Sequence, residues 1–324
     1  MPKVAFVFPG QGSQVVGMGA DLFKTYPAAK EIFQEADDTL GFSISNLCFN
    51  GPKEKLNQTV NTQPAIMTAS FACLRVVFEN GLGITPAFVA GHSVGEYTAL
   101  AAVDSLMFSD GLRLVQERAR LMHEAGIKSP GGMAAVIGLD MVSLEEICQE
   151  TGTQIANINS PGQIVVSGTN NGLAWMMDLA KARGAKRVIR LDVSGGFHSF
   201  LMEPVTGKLA DAVNQLDFSH PRVPVVANVT ARPVHTAQEI RTGIIKQICG
   251  CVQWQPSIVY MINEGVDTFV EIGPGQVLTG LIKRINRDVT ILNVRDVNDL
   301  SSVAEKIQSQ GSTSGAKDYV VAKG

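Results

Sequence analysis

Short apolar runs alternate with longer amphipathic stretches along most of this chain, and this alternation predicts an α/β fold. Residues 20–80 are predicted to be mostly helical, and Pro64–Phe78 is apolar on nearly every face, which indicates a buried helix. Because helical stretches separate the apolar runs, we expect a mostly parallel sheet. The runs predicted to form its strands are Lys3–Phe8, Phe88–Ala90, Val223–Val229, Thr268–Ile272 and Thr290–Val294.

The pattern changes between about residues 130 and 193, where the order of elements is β-α-β-β-α-β. The predicted elements are strand Met133–Gly138, helix Met141–Thr151, strands Ile155–Asn159 and Ile164–Gly168, helix Asn171–Arg183 and strand Arg187–Val193. This order is the ferredoxin-like arrangement. We therefore predict a ferredoxin-like small subdomain at 129–194, inserted into a large α/β subdomain formed by residues 1–128 and 195–298. Residues 299–324 are polar and rich in Ser and Gly, which predicts a loosely ordered tail.

The composition is that of an ordinary globular protein, with 324 residues of which 45% are hydrophobic and 18% charged. A net charge of −3 gives no indication of a nucleic-acid partner. No apolar stretch is long enough to span a membrane, and the N-terminal run ends at Pro9-Gly10, as a strand rather than a signal peptide would. Five cysteines without a C-x-x-C pair favour reduced thiols and a cytoplasmic or organelle-matrix location.

A G-x-S-x-G sequence, Gly91-His-Ser-Val-Gly95, separates the predicted strand Phe88–Ala90 from a helix-like run. A serine on such a sharp turn points its hydroxyl out of the sheet, and the flanking glycines let strand and helix pass without clashes. The amide of Val94 would then lie at a helix N-terminus, facing a developing oxyanion. The pattern favours Ser93 as a nucleophile. The alternative is a glycine-flanked turn with an ordinary capping serine.

Arg118 lies within an apolar stripe of the helix predicted over Asp110–Ala125. The stripe consists of Leu114, Val115, Leu121, Met122 and Ala125 at i, i+3, i+4 spacing. A guanidinium that faces the core needs an anion or several acceptors, because an unpaired buried charge is costly. One interpretation is a structural ion pair or a buried aliphatic stem with its charge in water. The other is an arginine that lines a cleft and binds a substrate carboxylate through two parallel hydrogen bonds.

A nucleophilic serine needs a base to take its proton, and this base is usually histidine. His92 adjoins the serine and would have to fold back on it. His123 is predicted on a helix exterior, and His220 and His235 lie beside prolines in predicted surface loops. His198 follows a strand end and a flexible Ser-Gly-Gly, where a side chain can be presented to a cleft. Elimination favours it over the alternative of an ordinary packed histidine. No carboxylate is clearly placed to orient this base, so a carbonyl or an amide is expected in that role.

A glycine-rich loop, Phe8-Pro-Gly-Gln-Gly-Ser-Gln14, follows the first predicted strand. A dinucleotide-binding G-x-G-x-x-G would require a small residue at position 15, where the chain has valine, and no Gly-Lys-Ser/Thr follows. The loop is therefore expected to present backbone amides or Gln11 to a site, or else to be a plain strand-to-helix turn.

A series of motifs in matching order gives the chain a family resemblance. The motifs are the Phe8–Gln14 loop, Gly-His-Ser-Val-Gly-Glu-Tyr97, Gln116-Glu-Arg118, Asn157-Ile-Asn-Ser-Pro-Gly-Gln163, Gly-Phe-His-Ser199, Val252-Gln-Trp254 and Glu271-Ile-Gly-Pro-Gly275. Over about residues 1–295 the chain resembles the malonyl-CoA:acyl carrier protein transacylases, the acyltransferases of fatty acid and polyketide synthesis. The resemblance implies a hydrolase-like α/β core with an inserted ferredoxin-like domain, in agreement with the pattern above.

The resemblance also implies a role for each matching residue. Ser93 would be the acylated nucleophile, His198 its general base, and Arg118 the group that binds the malonyl carboxylate. The backbone amides of Gln11 and Val94 would form the oxyanion hole. Neither a metal nor a redox cofactor is implied.

Further matching positions would support the site. Gln247 would hold the site near the histidine through its main-chain carbonyl, although Cys251 stands where the family commonly carries proline. Phe197, directly before the histidine, implies selection of malonyl over methylmalonyl, and valine after the serine agrees with it. His92 and Asn159 are additional supporting positions.

The implied reaction moves a malonyl group from malonyl-CoA to the phosphopantetheine thiol of acyl carrier protein through a malonyl-serine ester, for fatty acid biosynthesis. The alternatives are a trans-acting malonyl acyltransferase of a polyketide synthase, an esterase or proofreading acyl hydrolase, and a carrier-protein docking module with a degenerate site. Basic groups within 181–190 and 283–287 are expected either to face an acidic carrier protein or to be ordinary solvated surface.

Overall fold

A computed structural model describes residues 2–79 and 85–300 of the chain, together with Val303 and Lys306. The tail predicted at 299–324 therefore lies almost entirely outside the described residues. All the motifs named above lie inside them.

A six-stranded sheet forms the centre of the protein. Its strands are β1 (Val4–Phe8), β2 (Phe88–Gly91), β7 (Val225–Val226), β8 (Pro233–Val234), β9 (Thr268–Ile272) and β10 (Thr290–Val294). They lie in the order β10-β9-β1-β2-β7-β8, and all neighbours pair in parallel except β7 and β8. The prediction of a mixed α/β protein with a mostly parallel sheet is confirmed.

A second sheet of four strands lies between the two halves of the first along the chain. Its strands are β3 (Gly131–Ile137), β4 (Gln154–Ser160), β5 (Gln163–Thr169) and β6 (Arg187–Arg190). They lie in the order β4-β5-β3-β6 with every neighbouring pair antiparallel. A parallel bridge between Asn157 and Val252 joins this sheet to the chain that follows the large sheet's β8.

Helices cover both sheets within the described residues. They are α1 (Ala20–Thr25), α2 (Pro27–Leu40), α3 (Ile44–Asn50), α4 (Lys53–Leu56), α5 (Thr59–Glu79), α6 (Gly95–Ala102), α7 (Phe108–Lys128), α8 (Met141–Thr151), α9 (Asn170–Ala182), α10 (Glu203–Asn214), α11 (Ala237–Gln247), α12 (Trp254–Asn263) and α13 (Val277–Ile285). A single 3₁₀ turn, Phe200–Met202, precedes α10. Among the described helices, none combines the length and the apolar character that a bilayer crossing requires.

The central strand β1 is buried along its whole length, because helices pack on both faces of the sheet. Its alternate side chains point to opposite faces, as the pleat of a strand requires. Phe6 and Phe8 join the larger core, whereas Ala5 and Val7 join a smaller core with residues of α12 and α13. This burial holds the ends of β1 and β2 in place, and both candidate loops of the site follow those ends.

Most predicted elements begin and end within a few residues of the observed ones, and helix Met141–Thr151 and strands Thr268–Ile272 and Thr290–Val294 match to the residue. The strand predicted over 223–229 was too long. It ends at Val226, because the chain turns and the Ala227 amide donates to the Arg232 carbonyl at 3.0 Å. The last strand of the small sheet also ends early, at Arg190.

Candidate active site

Ser93 occupies the sharp turn between β2 and α6. Its φ of 53° is in the left-handed region, which few non-glycine residues adopt. The flanking glycines have a steric cause, since a Cβ on Gly91 would lie 1.9 Å from the backbone of Gly95. A Cβ on Gly95 would lie 2.2 Å from the Phe8 carbonyl oxygen. The turn therefore has the geometry that the G-x-S-x-G pattern predicts.

His198 meets this serine from a distant part of the chain. Its Nε2 lies 2.7 Å from Ser93 Oγ, and its Nδ1 lies 2.8 Å from the main-chain carbonyl oxygen of Gln247. A carbonyl can only accept, so Nδ1 carries the ring proton and Nε2 is left to accept the serine proton. The orienting group is thus a carbonyl, in the position that the resemblance implies for Gln247.

The imidazole of His198 is held in its neutral form. Burial, together with the nearby charge of Arg118, lowers the pKa of His198 to about 3. The side chain is 3% exposed. A general base has to be unprotonated before it can act, so this environment keeps the ring ready to accept a proton over the whole neutral pH range.

We expect the imidazole of His198 to stay neutral as the pH falls from 8 to about 5, because a folded pKa near 3 leaves it unprotonated there. Nitrogen NMR of ¹⁵N-histidine-labelled protein measures this directly, since the ring shifts differ between neutral and charged forms. The resonances of the exposed histidines in the same spectra serve as internal references. Charged-ring shifts for His198 at pH 6 in the folded protein would contradict this description of the site.

Arg118 reaches the same serine from the middle of α7, where it is 1% exposed. One terminal nitrogen donates to Ser93 Oγ at 3.1 Å and to Gln247 Oε1 at 2.9 Å, and the other donates to Gln63 Oε1. Within the described residues no carboxylate contacts this guanidinium directly, and its Nε has no hydrogen-bond partner. The charge is therefore held by neutral acceptors, which leaves it available to an anion.

These groups line one cavity of about 170 Å³. Every site residue predicted from the sequence lines it except Gln247, which lies behind Arg118: the lining includes Gln11, His92, Ser93, Val94, Arg118, Asn159, Phe197 and His198. Apolar side chains of α13 and β5, such as Leu281 and Val165, complete the wall. Serine, base, cation and an apolar wall thus share one cavity.

The loop that contains Gln11 lies against the nucleophile turn. A Cβ on Gly10 would lie 2.4 Å from the His92 carbonyl oxygen, so only glycine permits this approach. Among the described residues, neither the Gln11 amide nor the Val94 amide donates to a backbone acceptor. Both residues line the cavity.

His92 turns away from the serine hydroxyl. Its Nε2 lies 2.9 Å from Asn159 Oδ1 and 3.4 Å from Asn157 Nδ2, both on β4 of the small sheet. Its ring also packs against Trp254 at 5.6 Å between centroids. Burial lowers the pKa of His92. The residue links the nucleophile turn to the small sheet, in keeping with a supporting position.

Three residues that sequence reasoning did not select also belong to the site. Asn228 Oδ1 accepts from the Ser93 amide at 2.8 Å, Glu96 Oε2 accepts from Gln247 Nε2 at 2.6 Å, and Gln63 binds Arg118. Glu96 carries one signal that would have found it, since it is the one charged residue of a short, mostly apolar helix. Asn228 has no such signal, because it follows a strand of only two residues.

The described residues hold no group of three or more His, Cys, Asp or Glu side chains arranged to bind a metal ion. A mixed α/β protein with a serine on a strand-to-helix turn, paired with a histidine from elsewhere in the chain, has the architecture of serine-dependent acyl-transfer enzymes. The sequence profile of the acyl transferase domain matches residues 5–318. The chain belongs to this acyltransferase family.

Individual relatives match over nearly their whole length. The malonyl CoA-acyl carrier protein transacylase of Bacillus subtilis (strain 168) is 44% identical over 315 residues, which cover 96% of this chain and 99% of the relative. The protein of the same name from Escherichia coli (strain K12) is 43% identical over 312 residues, covering 95% and 100%.

Solved structures are also similar to this protein over nearly its whole length. An acyl-carrier-protein-S-malonyltransferase from Bartonella henselae has a TM-score of 0.91 and 40% identity, over 94% of this chain and 99% of that one. A malonyl-transacylase solved in complex with a type II PKS acyl-carrier protein gives the same TM-score, identity and coverage.

Proposed function

We propose that this protein transfers a malonyl group from malonyl-CoA to the phosphopantetheine thiol of acyl carrier protein, through an ester on Ser93. The observation that carries the proposal is the cavity in which a buried guanidinium donates to the oxygen that His198 is placed to deprotonate. Two tasks are thereby divided between two residues: His198 accepts and returns the proton, and Arg118 binds the free carboxylate of the acyl group. The relatives named for this reaction support the assignment.

In the first half-reaction His198 Nε2 takes the proton of Ser93 Oγ as the oxygen attacks the thioester carbonyl. The negative charge that develops on the carbonyl oxygen is stabilised by the amides of Gln11 and Val94. The carbon–sulfur bond then breaks, His198 returns its proton to the departing coenzyme A thiol, and a malonyl-serine ester remains. The terminal nitrogen of Arg118 that donates to Ser93 Oγ is then within reach of the malonyl carboxylate carried by that oxygen.

The second half-reaction reverses the order of groups. The carrier thiol gives its proton to His198, its sulfur attacks the ester carbonyl, and the serine oxygen leaves and takes the proton back. A thioester becomes an ester in the first half-reaction and the ester becomes a thioester in the second, so the chemistry is a two-step exchange through a covalent intermediate without change in oxidation state. We infer that it uses no resident cofactor.

Phe197 supports malonyl as the acyl group. It lines the cavity directly before His198 and is 4% exposed. In the family that the chain resembles, a phenylalanine at this position goes with malonyl rather than methylmalonyl. We infer that methylmalonyl-CoA is a poorer substrate.

We also propose the subdomain division of residues 1–128, 129–194 and 195–298, with the middle segment as an inserted ferredoxin-like unit. Its support is the element order β3-α8-β4-β5-α9-β6 and the antiparallel strand order β4-β5-β3-β6. The cavity receives residues from both parts, since Asn159 and Val165 come from the small sheet and Arg118 from the large subdomain.

A cytoplasmic setting is part of the proposal as well. All five cysteines are free thiols, and Cys48, Cys73 and Cys148 are buried. Intracellular proteins keep their thiols in this state, whereas secreted proteins usually pair them.

The test of the proposed function is whether release of coenzyme A from malonyl-CoA depends on an added thiol acceptor. A transacylase releases one equivalent per protein without acceptor and turns over only when phosphopantetheinylated carrier protein is present. An esterase or proofreading hydrolase turns over in its absence. A panel of carrier proteins from fatty acid and polyketide systems, assayed side by side, assigns the pathway.

Carrier docking supplies a separate prediction. In the small subdomain the charge of Arg183 is balanced by Glu146 and Glu150, at 2.9 and 3.0 Å, whereas the exposed Arg187 and Arg284 have no ion pair among the described residues. Arg284 contacts Gln163, which lines the cavity. We expect reversal of Arg187 and Arg284 to glutamate to raise the KM for carrier protein and to weaken its dependence on salt, because rim charges act mainly on encounter.

Steady-state transfer at several salt concentrations measures this effect, beside the rate at which malonyl-CoA acylates the enzyme alone. Lys24→Glu serves as the matched control, since Lys24 is exposed, has no ion pair among the described residues and does not line the cavity. An equal rise in the KM for carrier protein in the control, or a similar loss in self-acylation, would refute docking at this surface.

A further inference from the structure

Glu96 is a buried carboxylate that the reaction described above does not use. It lies on α6, one turn after the nucleophile, and is 3% exposed. Its Oε2 accepts two hydrogen bonds, from Gln247 Nε2 at 2.6 Å and from the Asn228 amide at 3.3 Å. A buried carboxylate is costly unless its partners repay the loss of water, so its contacts indicate what it does.

The contact with Gln247 decides which way that side-chain amide points. A carboxylate oxygen without a proton can only accept, so Gln247 has to present its nitrogen to Glu96. Its Oε1 is then directed to Arg118, where it accepts from the guanidinium at 2.9 Å. The opposite orientation would place two acceptors together at Glu96 and two donors together at Arg118.

The orientation does not depend on the charge of Glu96 alone. Burial raises the pKa of Glu96 to about 7, against the opposing effects of Gln247, Asn228 and Arg118. Both hydrogen bonds end on Oε2. A proton on the other oxygen would therefore leave the accepting atom unchanged.

Glu96 also contacts the residue that holds the nucleophile turn. The main-chain amide of Asn228 donates to Glu96. The side chain of Asn228 accepts from the Ser93 amide at 2.8 Å and donates to the Gly91 carbonyl at 2.6 Å. Gln247 in turn donates to the Ser93 carbonyl at 3.0 Å. One carboxylate thus contacts the main-chain amide of Asn228 and the side chain of Gln247, the two residues that hold the serine turn, and Gln247 also holds Arg118.

We propose that Glu96 is a positioning residue for malonyl transfer, which acts through the side chain of Gln247 to hold the Arg118 guanidinium in place for the malonyl carboxylate. This inference rests on the proposed function. The competing description is a buried carboxylate that only stabilises the fold. The two differ in substrate dependence, because acetyl-CoA has no second carboxylate for Arg118 to bind.

Glu96→Ala is expected to lower malonyl transfer by about 10- to 100-fold, as small displacements of a positioning group do. Acetyl transfer should fall by a smaller factor, so the ratio of malonyl to acetyl kcat/KM drops. In a Gln247→Ala background the same substitution should have little further effect on that ratio, because the group through which Glu96 acts is already gone. Glu96→Gln, which keeps the shape and one accepting oxygen, should lie between wild type and Glu96→Ala.

Thermal unfolding separates these effects from loss of the fold, and Glu96→Gln carries the comparison where the alanine variant does not fold. Glu271→Gln is the matched control, since Glu271 is another fully buried carboxylate, bonded to the start of α13. It should affect both substrates alike. An unchanged malonyl-to-acetyl ratio in the Glu96 variants, or a loss that adds fully to that of Gln247→Ala, would overturn the inference.

A crystal structure of Glu96→Ala, which removes the accepting oxygen altogether, gives a readout that does not depend on activity. The Arg118–Gln247 contact should be lengthened or lost, and its retention would overturn the inference. A wild-type enzyme that forms no malonyl-serine would instead reject the proposed function and leave this structural test intact.

Discussion

Ser93→Ala is expected to abolish the covalent malonyl-enzyme and to lower malonyl transfer by on the order of 10⁴- to 10⁶-fold. The reason is that the proposed reaction stores the acyl group on this one oxygen, which the turn between β2 and α6 exposes to the cavity. Intact-mass spectrometry after incubation with malonyl-CoA measures the adduct. Ser219→Ala, at an exposed serine, is the control and should label like wild type.

His198→Ala should be nearly as severe, because nucleophile and base lie 2.7 Å apart and act as a unit. The double variant should then be little worse than either single one. Malonylated Ser93→Ala protein would reject the nucleophile assignment. A double variant far slower than both single variants would reject the pairing.

Arg118→Ala is expected to lower kcat/KM for malonyl transfer by about 30- to several-thousand-fold. Truncating one member of a buried, hydrogen-bonded charge pair costs about 2–5 kcal/mol, and each 1.4 kcal/mol is about tenfold in rate. Acetyl transfer should fall little or even rise. Arg118→Lys keeps the charge but not the planar fork, so it should recover only part of the loss.

Parallel assays with malonyl- and acetyl-CoA, beside thermal unfolding, measure this prediction. Arg113→Ala is the matched control, because Arg113 lies on the same helix but is exposed and paired with Asp110. A purely structural arginine predicts a lower melting temperature and equal losses for both substrates, and that result would overturn the carboxylate-binding assignment. The neutral partners of Arg118 favour the carboxylate-binding role over a purely structural one, since removal of Arg118 leaves no directly bonded anion without its partner.

Periodicity was sufficient to predict the elements that bury a continuous face. The helix Met141–Thr151 and the strands at Thr268 and Thr290 were placed to the residue, because their apolar runs are bounded by turn residues. The strand at 223–229 was overextended, since apolar residues continue past the point where the chain turns at Asn228. The local hydrophobic pattern does not reveal this turn, which places the Asn228 side chain against the turn that carries Ser93.

The same distinction holds for the site. The position of Arg118 in a core-facing stripe was readable from the spacing of its neighbours, and so was the turn that carries the serine. The residues that support Ser93 and Arg118 could not be predicted in this way. The hydrogen bonds that join residues 96, 228 and 247 connect elements far apart in sequence. The roles of the Gln11 amide and the Gln247 carbonyl came only from family resemblance, since backbone groups leave no trace in residue identity.

The most direct test of the central claim is a chase of isolated malonyl-enzyme. Protein incubated with malonyl-CoA is freed of coenzyme A, the adduct is located by peptide mass spectrometry, and phosphopantetheinylated carrier protein is then added. We predict a malonyl ester on Ser93 that moves to the carrier thiol within the turnover time and is lost far more slowly in buffer. An adduct on another residue, or release of free malonate at the same rate with and without carrier protein, would contradict the account.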